Sequence, residues 1–208
     1  MADPLEELYR LQKKDIKRAA ETFADAFQND PVWSAIFLDF KNDRGRIRAI
    51  YEIPVRFCMK YGSVYSTGEQ LQGIAAWLPG ECAGFKVLRM IRSGAILSGM
   101  KIGFKIAKRM MPIFRPIETD RKKNMKGKDF IYLQIIGVAG EFQGKGIGGT
   151  LLRALIAESE RNRKALYLET ETERNVAMYE RFGFRTIRKI TLPIIGLPMW
   201  EMVREAPT

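Results

Sequence analysis

The 208-residue chain contains no histidine, and that absence excludes more than most of the residues present decide. Ser-His-Asp and Cys-His nucleophilic relays, His-ligated zinc and His-ligated haem all fall together. Acid–base work is left to Glu, Asp, Tyr, Lys or water. An enzyme of this composition binds a pre-activated group and positions it, rather than building its own nucleophile. Cysteine is nearly as scarce. Cys58 and Cys82 lie far apart and fit no metal or redox spacing, so both read as free thiols in a reducing compartment. No apolar run approaches the ~18 residues that span a bilayer. The opening MADPLEELYR is acidic and lacks the apolar core of a secretory signal. A cytoplasmic chain with no metal is expected. Repeats, low-complexity stretches and Ser/Gly/Pro linkers are also missing, so residues 1–208 read as one domain.

Hydrophobic residues make up 46% and charged residues 28% of the chain, enough of each for a packed core with a solvated surface. The net charge of +11 is unevenly spread. From Lys86 to Asp129 thirteen Lys or Arg face three acids, a surplus of ten, while the remainder is close to neutral. Such a surplus attracts nucleic acid, an anionic membrane or a phosphate-bearing ligand. A solvated basic helix is the plainer reading.

Hydrophobic periodicity orders the rest. Leu5–Leu11 reads as a short strand. Asp15 then caps an amphipathic helix with Ile16, Ala19, Ala20, Phe23, Ala24 and Phe27 on one side. Asn29-Asp30-Pro31 breaks that helix. A short helix over Val32–Phe37 and a longer one over Asp43–Tyr61 follow. Ser63–Thr67 and Leu71–Leu78 read as strands stopped by Pro79-Gly80. Residues 85–128 form a basic insertion: a helical pattern to about Met111, punctured by Gly84, Gly94, Gly99 and Gly103, then a polar loop. Phe130–Ala139 is a strand, Ile147–Arg161 a helix, Ala165–Thr170 a strand and Arg174–Phe182 a short helix. Strands near Phe184–Leu192 and Pro198–Arg204 close the chain. This order argues for an α/β fold on a mixed sheet.

The turn between Val138 and Gly149, VAGEFQGKGIGG, carries the chemistry. Glycines at a strand–helix junction let backbone N–H groups converge at the positive end of a helix dipole, a site for phosphate or pyrophosphate. A P-loop is rejected, because Gly140 precedes Gly144 by only three spacers and Gly146 follows Lys145. The dinucleotide fingerprint is met formally by Gly144, Gly146 and Gly149, with Glu169 near the place of a ribose-binding acid. Only about sixty residues follow Gly149, too few for a doubly wound nucleotide sheet, and no βαβ units precede it.

In a third reading, Gln143-Gly-Lys-Gly146-Ile-Gly148 resembles the Q/R-x-x-G-x-G/A pyrophosphate loop of the GNAT acetyltransferase superfamily. Asn175-Val-Ala-Met-Tyr179-Glu-Arg-Phe-Gly183-Phe184 is similar to its second signature, ending Tyr-x-x-x-Gly-Phe. LYLET, PMWEMVRE, AFQNDPVW and AAWLPG extend the resemblance, on a puromycin N-acetyltransferase-like branch, over nearly the whole chain. Two positions depart: Gly140 stands where many relatives have proline, and Thr172 takes the place of the usual asparagine.

The resemblance implies a single domain with a mixed, mostly antiparallel sheet, flanked by helices and splayed at an acyl-CoA cleft. It implies acetyl-CoA as co-substrate and direct transfer to a primary amine in a ternary complex. Ile136, Gly137 and Val138 would pair with the pantetheine arm, the Ile136 N–H stabilising the oxyanion. Gln143, Gly144, Lys145, Gly146, Ile147, Gly148 and Gly149 would cradle the pyrophosphate, although Lys145 reads equally as solvated. Asn175 would fix the cofactor arm, and Tyr179 would protonate the departing thiolate; an aromatic on a short helix is otherwise core. The position of the glutamate base of some relatives holds Tyr132. Glu169 is the best remaining carboxylate, with a water relay or a plain salt bridge as its alternatives. Asp30 would attract the amine, unless it is only a structural helix-end Asp before proline. A homodimer stays open and nucleic acid has no evident role. The rival function is a GNAT-like module that senses acyl-CoA or docks an anionic partner without catalysis.

Overall fold

A computed structural model describes residues 3–38 and 40–206. Residues 1, 2, 39, 207 and 208 lie outside the description. Seven strands form one sheet, β1 (Tyr9–Arg10), β2 (Ser63–Ser66), β3 (Gly73–Pro79), β4 (Phe130–Val138), β5 (Ala165–Thr170), β6 (Arg185–Thr191) and β7 (Pro198–Arg204). Their order is β1-β2-β3-β4-β5-β7-β6. Every neighbouring pair is antiparallel except β4 and β5. The last strand thus inserts between β5 and the penultimate one, leaving β6 as an edge. Arg185, Arg188 and Lys189 line that edge, and charge of one sign there discourages pairing with another chain.

Period-2 alternation gives the sheet two apolar faces. Tyr132, Ala165, Tyr167 and Val203 face the larger core, with Phe23 of α1 (Ile16–Ala26) and Tyr51 and Phe57 of α3 (Arg44–Tyr61). Ile131, Leu133, Leu166, Leu168 and Met202 face the other, where Leu151, Leu152 and Leu155 of α7 (Ile147–Arg161) pack. Tyr179, on α8 (Glu173–Glu180), joins this second core. Asp30 N-caps α2 (Pro31–Phe37), its Oδ1 accepting from the Trp33 N–H at 2.8 Å. This is the capping that a short polar side chain before proline provides.

Several local expectations change. The first strand shortens to Tyr9–Arg10. Asp15 does not cap α1; it is buried, and its Oδ2 accepts from the Tyr9 hydroxyl and the Gln12 N–H, both at 2.8 Å. The long basic helix is broken at Gly94 and Gly103 into α4 (Val87–Ser93), α5 (Ala95–Ile102) and α6 (Phe104–Asn124). The expected polar loop is in fact the last half of α6, which runs through Pro112 and Pro116. Each proline removes a backbone donor, but Ile113, Ile117 and Arg121 recur every fourth residue and are all buried. Burial of that row outweighs the lost bonds.

Candidate active site

β4 and β5 pair only over Phe130–Tyr132 against Ala165–Tyr167. Beyond Tyr132, β4 is paired on its β3 side alone, while β5 continues beside β7. The two parallel strands therefore part, and one edge of β4 is uncovered. Register decides which groups line it. Val138 lies opposite Gly73, and the next residue's N–H, Ala139, donates to the Gln72 carbonyl at 2.9 Å. That makes Val138–Gly73 a non-hydrogen-bonded pair, and Ile136–Ala75 another. The backbone N–H and C=O of Ile136 and Val138 consequently point into the open edge. Gln143 Nε2 reaches the Val138 carbonyl there at 3.0 Å. Gly137 turns its own polar groups to β3. A Cβ on it would come within 2.9 Å of Phe23, so this glycine seats α1 rather than facing the groove.

From Gln143 the chain enters α7 through Gly144 and Gly146, with φ of +78° and +83°. These are left-handed conformations that other residues adopt only with strain. A Cβ on either would meet nothing within 4 Å, so the space beside the turn is open. Among the described residues, the N–H groups of Gly144 through Gly149 have no acceptor, and no side chain caps α7. Six donors at the positive end of a helix fit a pyrophosphate. Lys145 is exposed, with its Nζ 5.0 Å from the centre of the Phe142 ring, a cation–π contact at the rim of the turn.

Past the end of β5, the half-buried Glu171 carboxyl is hydrogen-bonded to Asp30. Burial, reinforced by Asp30, pushes it up to about 9. Asp30 thus caps α2 with one oxygen and still meets Glu171. The same two acids, after burial, raise the Tyr51 phenol, whose hydroxyl is buried without a partner. The ring of Trp33 lies 5.3 Å and that of Phe27 5.8 Å from Tyr51. Burial and then Glu171 raise Tyr179, which packs edge-on against Phe184 at 5.6 Å. Glu171 is thus close to Asp30, and its charge reaches Tyr179. Asn175 is half-buried, and its N–H donates to Thr172 Oγ1 at 3.2 Å. Thr172 occupies the usual asparagine position as the cap of α8. A separate cavity of about 460 Å³, bordered by Gly80, Arg121 and Phe130, opens at the other end of β4 and includes neither the loop nor these acids.

Glu169 lies elsewhere. It shares the face of Tyr167, as its spacing requires, but its Oε1 is 2.9 Å from Arg121 Nη1, both side chains 7% exposed. The Arg121 guanidinium also lies 4.2 Å over the Tyr132 ring. Burial raises the Glu169 carboxyl against the opposing pull of Arg121 and Tyr132. Its charge is committed to an ion pair brought from α6. Arg121→Met would strand that charge, at a cost of about 3–5 kcal/mol. The denaturant midpoint should fall accordingly, and Glu169→Gln added to it should recover much of the loss.

A parted pair of parallel strands, a bare strand edge and an anion cradle at the following helix define a groove for an extended, phosphate-ended ligand. The acetyltransferase (GNAT) domain family model matches residues 114–186. An uncharacterized N-acetyltransferase of Schizosaccharomyces pombe is 30% identical over 96% of this chain and 83% of its own length. A "probable serine/threonine-protein kinase" of Dictyostelium discoideum is 25% identical over 84% of this chain, which spans 20% of that protein. Among solved structures, histone acetyltransferase HPA2 and related acetyltransferase from Corynebacterium glutamicum superposes with a TM-score of 0.67 at 17% identity. That match covers 97% of this chain and 96% of the other. The chain belongs to the GNAT acetyltransferases. Its class of reaction is acyl transfer, and the family's co-substrate is acetyl-CoA.

Proposed function

We propose that this chain transfers an acetyl group from acetyl-CoA to a primary amine in the cytoplasm, by direct attack within a ternary complex. The observation that carries the reading is the Asp30–Glu171 pair beside Tyr179 at the mouth of the parted strands. Two carboxyls that retain one proton still carry net negative charge, which draws an ammonium group. The part-exposed rings of Phe27 and Trp33 add a surface that favours a cation.

Acetyl-CoA supplies a thioester already activated for attack, and this chain's groups orient it. The loop from Gln143 to Gly149 holds the pyrophosphate, and the edge of β4 pairs with the pantetheine arm. The Ile136 N–H donates to the acetyl oxygen as it gains charge. Glu171, rather than Glu169, takes the proton that the acceptor must lose, because Glu169 is occupied by Arg121. The amine nitrogen bonds to the acetyl carbon, the carbon–sulfur bond breaks, and the Tyr179 hydroxyl gives the thiolate a proton. Of the two protons the ammonium loses, one restores the Tyr179 hydroxyl and the other passes through Glu171 and Asp30 to solvent. No acyl-enzyme is needed. Cys58 is buried, and its thiol is pushed far up by that burial.

Gly146→Asp tests the cofactor half of this reading. It places bulk and negative charge where the pyrophosphate belongs, at a left-handed residue. Calorimetric affinity for acetyl-CoA should weaken by more than about tenfold, or ~1.4 kcal/mol. A folded variant that binds as the parent does would remove the proposed site. A panel of primary amines against matched alcohols tests the other half, since thiol release should follow the amines alone.

A further inference from the structure

Ten large hydrophobic side chains are exposed among the described residues, and eight of them fall between Phe85 and Met111. The same segment is the basic one: from Cys82 to Ile117 it carries eight Lys or Arg and no Asp or Glu. Inward residues hold its helices in place. On α5 the buried Ser98 donates to Glu52 Oε2 at 2.7 Å, and Ala95 and Ile102 are buried. On α6 the inward row is Ile113, Ile117 and Arg121. The outward faces of α5 and α6 are therefore fixed. These helices, with α4, none of whose residues is buried, carry exposed apolar residues where solvent-facing helices normally carry polar ones. Leu88 and Ile91 face out from α4, Leu97 and Met100 from α5, and Phe104 and Met111 from α6. Met100 and Met111 are 72% exposed and Phe104 is 82% exposed. Lys101, Lys105 and Lys108 are exposed among them.

We infer that the outward face of α4, α5 and α6 docks on an anionic lipid surface. Aliphatic and aromatic tips enter the boundary between headgroups and acyl chains, while the longer Lys and Arg side chains reach the phosphates. The charge favours this occupant over a second copy, since a symmetric contact would set one basic face against another. The side chains favour it over nucleic acid, because only Phe85 and Phe104 of the eight are rings, too few to stack successive bases, and the aliphatic and Met side chains offer none. The docking is peripheral: among the described residues no helix is long and apolar enough to cross a membrane. The inference stands independently of the proposed acetyl transfer.

Co-sedimentation of the full chain with vesicles tests it, using phosphatidylcholine alone or mixed with phosphatidylserine. Two variants separate the contributions: Leu97→Ser with Met100→Ser and Phe104→Ser, and Lys101→Gln with Lys105→Gln and Lys108→Gln. The parent should sediment with the mixed vesicles, weakly with neutral ones, and less as salt rises. The serine variant should lose more than about tenfold in partitioning. The glutamine variant should lose about fivefold per lysine. Melting temperature and thiol release on a soluble amine should stay at parental values. Equal binding to neutral and anionic vesicles, or none at low salt, overturns the inference. So does tighter retention of an oligonucleotide than of mixed vesicles. Self-association in the ultracentrifuge that the serine variant abolishes would make the face a self-contact instead. If the serine variant fails to fold, the glutamine variant and the salt series decide.

Discussion

Glu171→Gln should lower kcat by about 10²–10⁴-fold, the usual contribution of a positioned acid or base. It should leave acetyl-CoA affinity unchanged and make the protein more stable at alkaline pH. The sign of the stability change follows from the carboxyl itself. Burial and Asp30 raise it from 4.5 to about 9 on folding. Its favourable contribution is complete below pH 4.5 and is lost as pH climbs from there to about 9. Glutamine keeps a hydrogen bond to Asp30 and has no charge to desolvate, so it escapes the loss. The Tm advantage of the variant should be largest near pH 9 and vanish near pH 4.5, at about 2–4 °C per kcal/mol. The parental kcat/KM should rise toward pH 9, and the variant should lack that limb. A residue kept only for packing would behave oppositely, losing stability and activity together at every pH.

Tyr179→Phe should lower turnover by roughly tenfold to a thousandfold with little change in KM for acetyl-CoA. Among the described residues, the Tyr179 hydroxyl makes no hydrogen bond that its loss would leave unpaired, and the ring packs on Phe184. Removing the oxygen therefore preserves the core and subtracts only the proton donor. With no histidine in the chain, few groups remain to replace it. Full turnover in the variant would make Tyr179 a core aromatic and assign thiolate protonation to water. A fall in Tm comparable to a cavity mutation would mean that the hydroxyl has a structural role instead.

The glycine turn was legible in the sequence because its requirement is written in residue type. Left-handed turns and backbone approach select glycine, and Gly144 and Gly146 stand where α7 begins. The helix from Ile147 to Arg161 was legible in its apolar period, and Asp30 in its place before Pro31. The base was not. Glu169 and Glu171 stand two apart in one acidic run, and only Arg121, 48 residues away along the chain, distinguishes them. That arginine lies on α6, in the stretch whose prolines and charges read as loop. Nothing local marked Ile113, Ile117 and Arg121 as an inward row. The insertion of β7 between β5 and β6 was equally invisible. A strand pair joined by a short loop can present either member to the sheet, and side-chain pattern does not choose between them.

A single turnover with acetyl-labelled acetyl-CoA and a primary amine tests the central claim most directly. The label should appear on the amine in equal amount to the coenzyme A released, while the mass of the protein stays unchanged throughout. Label on the protein or in free acetate, or coenzyme A bound but never released across a series of primary amines, would contradict it.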